Sequence, residues 1–373
     1  MKAVGIDPGT KSMDICAIKN QKIVYESCVP TKEVAKNPKK LIDELEKAEP
    51  FDVLAAPSGY GIEPTNLKRI PQEKLEEWYY NYILLTQKKY IEEAVEKNVF
   101  GALLYYAMTQ AIKEIKKRDY KTIFIPGIIN LPTVPIHRKY NKLDMGTADK
   151  LAVTALATHQ QTKNKPNFNT SFILIEMGFG YNSVIAVEKG KIIDGIGGTT
   201  IQAPGFLTLG GMDAELTQLG KNWQKQHIFQ GGLSTITRHK TPKQLLNNLD
   251  NKKERNALKS MLEGVEKAVR SIKSTTKTNK TLLSGRLTKK PQIKKRLTNK
   301  LKDYDVRVLD DLLGARETKK TSQGYALVAN GLSGGSYKEL IEHLEIDEAK
   351  GSCIDYIKHP KAKEIREEFV KFK

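Results

Sequence analysis

Asp7-Pro8-Gly9-Thr10-Lys11 puts a carboxylate at the end of an apolar run, then a glycine turn, a hydroxyl and an ammonium. Glu176-Met177-Gly178-Phe179-Gly180-Tyr181 does the same with a carboxylate and two glycines. A glycine turn lets backbone N–H groups approach a phosphate, and a carboxylate at a strand end holds hydrated Mg2+. Both carboxylates follow apolar strands that should be buried, where an unpaired charge is costly. Asp7 and Glu176 are therefore metal candidates, with a structural hydrogen bond as the alternative. Gly9, Thr10, Lys11, Gly178, Gly180 and Tyr181 are the phosphate-side candidates, although ordinary turn capping also accounts for Thr10. Two such turns facing each other would hold a nucleoside triphosphate from both sides, and phosphoryl transfer needs mainly that positioning and charge neutralisation.

The elements that carry these residues repeat. Residues 4–24, VGIDPGTKSMDICAIKNQKIV, align without a gap on 173–193, ILIEMGFGYNSVIAVEKGKII. Ile6 falls on Ile175, Asp7 on Glu176, Gly9 on Gly178 and Ala17 on Ala186. Each copy reads as strand, glycine turn, strand, polar turn and third strand, which is a β-meander made twice. Around them, helices are expected over 41–48, 75–98, 102–117, 148–159, 257–274, 291–301 and 323–331. Strands are expected over 51–56, 122–126, 281–284 and 306–309. This alternation points to an α/β fold of two lobes, 1–165 and 166–373, joined near the polar stretch 160–167. The helix over 360–372 is expected to cross back to the first lobe.

Bulk properties set bounds. At 373 residues, 39% hydrophobic and 7% aromatic, the chain supports two packed cores. No apolar run reaches the ~20 residues of a membrane span, and the N-terminus is unlike a secretory signal. Cys16, Cys28 and Cys353 are isolated, which argues against zinc or a disulfide framework and for a cytoplasmic setting. The net charge of +19 is concentrated in 273–302. Lysines there interleave with Thr, Asn and Leu at near-helical spacing and lack aromatics for stacking bases, so a solvated basic face is preferred to a nucleic-acid groove. No Walker motif occurs, and no GxGxxG follows a suitable strand.

Other candidates lie nearby in sequence. His137, Arg138, Lys142 and Lys150 cluster around 137–150; Arg138 suits clamping an anion or neutralising charge in a transition state, and a solvated loop is the alternative. Ser58 and Gly59, in a glycine-bearing loop after a strand, read as substrate-facing residues or plain turn chemistry. Asp213 reads as the N-cap of a helix from 214.

Taken together, these segments resemble the acetate and sugar kinase, Hsp70 and actin superfamily. The hairpin at Asp7 is similar to its first phosphate motif and that at Glu176 to its second. Leu282-Leu283-Ser284-Gly285-Arg286 is similar to its adenosine motif, and 324–331 to its second connecting helix. The resemblance implies two ribonuclease-H-like lobes of the actin-like ATPase fold around a central nucleotide cleft, with ATP and Mg2+ as cofactors. It implies adenine near Gly285 and Gly334-Gly335, and an acceptor near Ser58, Gly59, Arg138 and Lys142. Residues 144–157, DMGTADKLAVTALA, resemble the segment of type III pantothenate kinases that carries their catalytic aspartate, with Asp149 in its place. The layout also resembles an archaeal family predicted to be a butyrate kinase, although Asp7 stands where acetate and butyrate kinases usually carry Asn. The implied activity is an ATP-dependent small-molecule kinase, with Asp149 as base and Arg138 as a second catalytic group. A nucleotide-dependent switch and an ATP-using enzyme of tRNA are the alternatives, and an oligomer is compatible with each.

Overall fold

The duplicated segments become duplicated hairpins in a computed structural model that describes residues 1–163, 166–220 and 223–369, with the backbone alone at positions 100 and 166. β1 (Lys2–Pro8), β2 (Ser12–Lys19) and β3 (Lys22–Pro30) form an antiparallel meander. β4 (Val53–Ala55), β5 (Thr65–Asn66) and β6 (Thr122–Phe124) complete the first sheet in the order β3-β2-β1-β4-β6-β5, with β4 parallel to β1 and to β6. The second sheet holds β7 (Phe172–Met177), β8 (Asn182–Glu188), β9 (Lys191–Ile196), β10 (Lys280–Ser284) and β11 (Asp305–Val308). Its order, β9-β8-β7-β10-β11, reproduces the first five strands of the other sheet in sequence and direction.

The likeness extends to details that hairpin chemistry dictates. Gly9 N donates to Ser12 O (3.1 Å), and Gly178 N to Tyr181 O (2.8 Å), the equivalent pair. The next turns carry positive φ at both central residues, Asn20-Gln21 and Lys189-Gly190, as a two-residue turn between right-twisted strands requires. A bulge then falls between Ala17 and Ile18 in one copy and between Ala186 and Val187 in the other.

Two helices join the lobes. Ala148–Thr162 leads from the first sheet to the second, and Lys320–Leu332 returns and lies on β1. They cross so closely that a Cβ on Gly324 would overlap the Ala152 carbonyl, and one on Gly5 would overlap the Ala326 amide. Apolar residues of both helices and both sheets, among them Leu156, Leu174 and Tyr325, form a shared core. Beyond the returning helix the chain first touches the second sheet, where Lys191 pairs with Glu345 (2.8 Å), and then reaches the first lobe: Glu63 N donates to Gly351 O (3.1 Å) and Lys358 N to Asn141 Oδ1 (2.7 Å). The crossing back therefore starts at Lys320, well before residue 360. Gly324→Val is expected to destabilise the fold by roughly 1–3 kcal/mol through overpacking, and chemical denaturation checks it.

The single helix expected over 75–98 is instead broken. Leu75–Trp78 runs into a π-turn at Tyr79–Leu84, Leu85 takes a left-handed conformation (φ 51°), and a new helix spans Lys88–Glu96. Every side chain from Tyr79 to Leu84 is buried, so no face was left for water. The turn frees the Ile83 carbonyl to accept from Tyr60 N (3.0 Å), which fixes the loop of Ser58 and Gly59. The basic stretch 273–302 is integral to the second lobe: β10 pairs with β7, and helix Pro291–Lys300 buries Ile293 and Leu297. Among the described residues no helix is long and apolar enough to cross a membrane. Residues 164–165 of the expected joint over 160–167 and the end of the helix over 360–372 lie outside the described residues.

Candidate active site

The two glycine turns meet. A Cβ on Gly180 would stand 3.3 Å from Thr10 Oγ1, so the turns touch across the cleft. Both connecting helices also begin there. Ala148–Thr162 starts after Thr147, with Ala148 N donating to Gly59 O (3.0 Å), and Lys320–Leu332 starts after Lys319. Two helix N-termini, each with a partial positive charge, thus converge on one cavity with the turns. Asp149 and Lys150 belong to the first turn of one helix and Thr321 to that of the other, so helix geometry aims all three into the cavity.

Side chains inside are paired carboxylate to ammonium. Lys319 Nζ forms an ion pair with Asp7 Oδ2 and stands 3.6 Å from Asp14 Oδ1; its backbone N donates to Asp14 Oδ2 (3.1 Å). Thr321 Oγ1 donates to Asp7 Oδ2 (2.7 Å). Arg286 donates to Ser12 Oγ (2.5 Å), which donates to Asp14 Oδ1 (2.5 Å). On the other side Lys150 Nζ bridges Asp149 and Glu176 Oε2 (3.0 Å), while Thr147 Oγ1 donates to Asp149 Oδ1 (2.5 Å). Burial pushes Asp7 up, with Lys319 opposing and Asp149 and Asp14 adding to the rise. Glu176 is raised by burial more than Lys150 lowers it. Burial works against Asp149 too, yet Lys150 and Thr147 hold it below the usual carboxylate range. Both ammonium groups are raised by their carboxylates in spite of burial.

Mg2+ usually takes one or two carboxylates, with phosphate and water oxygens completing its shell. The donor chemistry fits: Asp7 and Glu176 are buried, raised carboxylates, and Glu176 Oε2 accepts no hydrogen bond, although the Lys150 ammonium is near. Among the described residues no three acidic, His or Cys side chains form a ready-made cage, so phosphate oxygens would supply the rest.

Most of the expected residues are brought together and some are not. Asp7, Gly9, Thr10, Lys11, Gly59, Asp149, Glu176, Gly178, Gly180 and Tyr181 all line the cavity. Gly285 (φ 96°) lies in an adjoining depression with Leu283, Thr288 and Val308, which shares Glu176, Arg286, Lys319 and Thr321 with the main cavity. Gly334 and Gly335 do not reach it. They follow the far end of the 13-residue helix Lys320–Leu332, about 20 Å along its axis from Lys319, and Gly335 N donates to Asn330 O (2.8 Å). Arg138 and Lys142 line a neighbouring depression that shares only Asp144 with the cavity; Arg138 donates to Ile193 O (2.8 Å) and stands 3.9 Å from Asp194, so it is tied to β9. Ser58 is buried, donating to Ala56 O (2.7 Å) and accepting from Ile125 N (3.0 Å), so it braces the loop and leaves the cavity to Gly59. Asp213 caps its helix through Glu215 N (2.9 Å).

Sequence reasoning missed Asp14, Arg286 as an ionic partner, Lys319 and Thr321. A signal existed for Asp14: hairpin register sets it directly opposite Asp7. It also missed the aromatic end of the cavity, where Tyr60, Leu104, Tyr105, Met108 and Phe229 join Tyr181.

With this geometry in view, known proteins place the fold. The acetate kinase of Entamoeba histolytica superposes at TM-score 0.53 with 11% identity, covering 81% of this chain and 87% of its own. The ROK hexokinase of Thermus thermophilus matches at 0.43 with 13% identity over 88% and 98%. A ROK family glucokinase from Streptomyces griseus, in complex with glucose and AMPPNP, matches at 0.42 with 10% identity over 88% and 99%. At such identities the likeness speaks for the fold alone, and the acetate kinase establishes it: two α/β lobes of the actin-like ATPase type. No curated protein matches the chain by sequence. A family model does, over residues 5–359, and the chain belongs to that family, described as a protein of unknown function, DUF1464.

Proposed function

We propose that this protein is an ATP-dependent phosphotransferase acting on a small molecule. The observation that carries the reading is the convergence, in one cavity, of two opposed glycine turns, two helix N-termini and Asp149. The triphosphate lies between Gly9–Lys11 and Gly178–Tyr181, where the glycines let it approach the backbone; a Cβ at Gly9 would overlap the Lys319 ammonium and the Ser12 carbonyl. The nucleoside extends past Gly285 and Thr288. Asp7 and Glu176 hold Mg2+, which supplies neutralisation of the phosphate charge. Lys150 and Lys319 set positive charge on either side of the transferring group, where it is worth most in a water-poor site. Asp149 orients the acceptor oxygen and takes its proton as transfer proceeds. The inter-lobe helices form the pivot on which the lobes close to exclude water.

Asp7→Asn tests the nucleotide half. It removes the charge that Mg2+ needs and keeps the side chain's shape and its bond from Thr321, so affinity for Mg·AMPPNP is expected to fall by roughly tenfold or more, about 1.4 kcal/mol. Titration calorimetry reads it, and unchanged affinity contradicts the metal role. Consumption of ATP that rises with one acceptor from a panel of short acids, sugars and hydroxy acids tests the transfer half. Slow hydrolysis indifferent to every acceptor would favour a switch.

A further inference from the structure

The end of the cavity beyond Asp149 has a chemistry of its own. Its walls are Gly59, Tyr60, Leu104, Tyr105, Met108 and Phe229, with Phe229 packed edge-on to Tyr105 (5.2 Å between centroids). Behind this wall stands Lys225, from the short turn Lys225–Phe229. Its Nζ donates to the Tyr60 hydroxyl (2.6 Å) and sits 4.1 Å from the centre of that ring. Lys150, Lys319 and Lys320 each have a carboxylate partner, whereas among the described residues Lys225 has none within ion-pair distance. Burial accordingly lowers its pKa to about 8. Asp144 opposes that lowering from a distance but is no ion-pair partner, so the half-buried Lys225 ammonium, relayed through a phenol to an apolar chamber, can still take one.

Two further observations narrow what completes it. A sugar requires a hydrogen-bonding partner for each hydroxyl. The chamber offers phenols and one carboxylate, Asp144, whose oxygens already accept from Gly146 N (3.0 Å), Thr199 N (3.2 Å) and Thr199 Oγ1 (3.1 Å). At the opposite end, where transfer would occur, the cavity is lined by Asp7, Asp149 and Glu176. A second carboxylate as the attacking group would be repelled there, while a neutral hydroxyl can donate to Asp149.

Resting on the phosphotransferase reading, we propose that the acceptor is a small hydroxy acid, its hydroxyl at Asp149, its apolar body among Tyr60, Leu104, Met108 and Phe229, and its carboxylate on the Lys225–Tyr60 pair. The hydroxyl oxygen forms a bond to the γ-phosphorus and the bond from that phosphorus to the β-bridging oxygen breaks. ADP leaves with that electron pair, and the hydroxyl proton passes to Asp149 and then to water. The product is the phosphate monoester of the hydroxy acid.

Ligand-observed NMR on the full chain, without nucleotide, tests the site by itself. The probes are 4-hydroxybutyrate, 3-hydroxy-3-methylbutyrate and 3-phenyllactate, each beside its neutral amide, with glucose as the competing class. At least one acid is expected to bind tenfold or more tightly than its amide. Lys225→Met is expected to bring that ratio close to one, and Tyr60→Phe to reduce it. Amides binding as well as acids in the unaltered protein, or glucose binding more tightly than every acid, would overturn the proposal. ADP formation is scored separately. Acids that bind with no ADP formed would remove the phosphotransferase reading and keep the site, whereas ADP formed only with glucose would remove the hydroxy acid and keep the reading.

Discussion

Asp149→Asn is expected to lower turnover by roughly 10²–10⁴-fold while leaving affinity for Mg·AMPPNP within a factor of about three. The amide keeps the side chain's size and its bond from Thr147 Oγ1, so the loss isolates the charge that receives the acceptor proton. Asp149 is held low by Lys150, which makes it a weak base in the free protein. That suits a loose phosphoryl transfer, in which the hydroxyl needs orientation early and a proton acceptor only late. Rapid-quench measurement of ADP formation separates this step from product release. Full activity in the variant would remove Asp149 from the chemistry.

Lys319→Met has a different signature, because Lys319 serves the resting protein as well as the reaction. Its ammonium stands against Asp7, Asp14 and the Gly9 turn. Removing one partner of a buried ion pair costs on the order of 3–5 kcal/mol, and two carboxylates lose their cation here. The variant is therefore expected to unfold at markedly lower denaturant in the absence of metal. Mg2+ alone should restore part of the loss, since a divalent cation can replace the ammonium beside Asp7, while the unaltered protein should gain little from it. Denaturation curves with and without Mg2+ check both parts. Equal stability of the two proteins would mean that the pair contributes nothing, and a variant indifferent to Mg2+ would argue against a metal at Asp7.

The fold was legible because its determinants are local and occur twice. A carboxylate, a glycine turn and a two-residue hairpin each leave a mark within about twenty residues, and the register of one copy predicts that of the other. The meeting of the two glycine turns was legible for the same reason. Lys319 and Thr321 were not, because topology brings them to the cleft: Thr321 is 314 residues from the carboxylate it hydrogen-bonds. Their only local mark is a Lys-Lys-Thr step at the start of a small-residue helix. Arg138 and Lys142 show the opposite error. They are close to Asp149 in sequence, yet they line the neighbouring depression across Asp144, with Arg138 tied to β9. Gly334 and Gly335, expected beside the adenine, follow the helix end remote from the cleft. The aromatic chamber escaped notice because Tyr60, Tyr105 and Phe229 come from three separate segments with no shared pattern.

The central claim is that a nucleotide's phosphates lie between the two hairpin turns, and calorimetric titration of Mg·AMPPNP into the protein and into Gly9→Val and Gly180→Val tests it most directly. One substitution lies in each lobe: a Cβ at Gly9 would overlap the Lys319 ammonium and the Ser12 carbonyl, and one at Gly180 would crowd Thr10 Oγ1, so each disturbs the gap between the turns. Binding to the unaltered protein, weakened by roughly tenfold or more in both variants, about 1.4 kcal/mol each, is the predicted result. No binding to the unaltered protein, or binding that both variants retain in full, would contradict it.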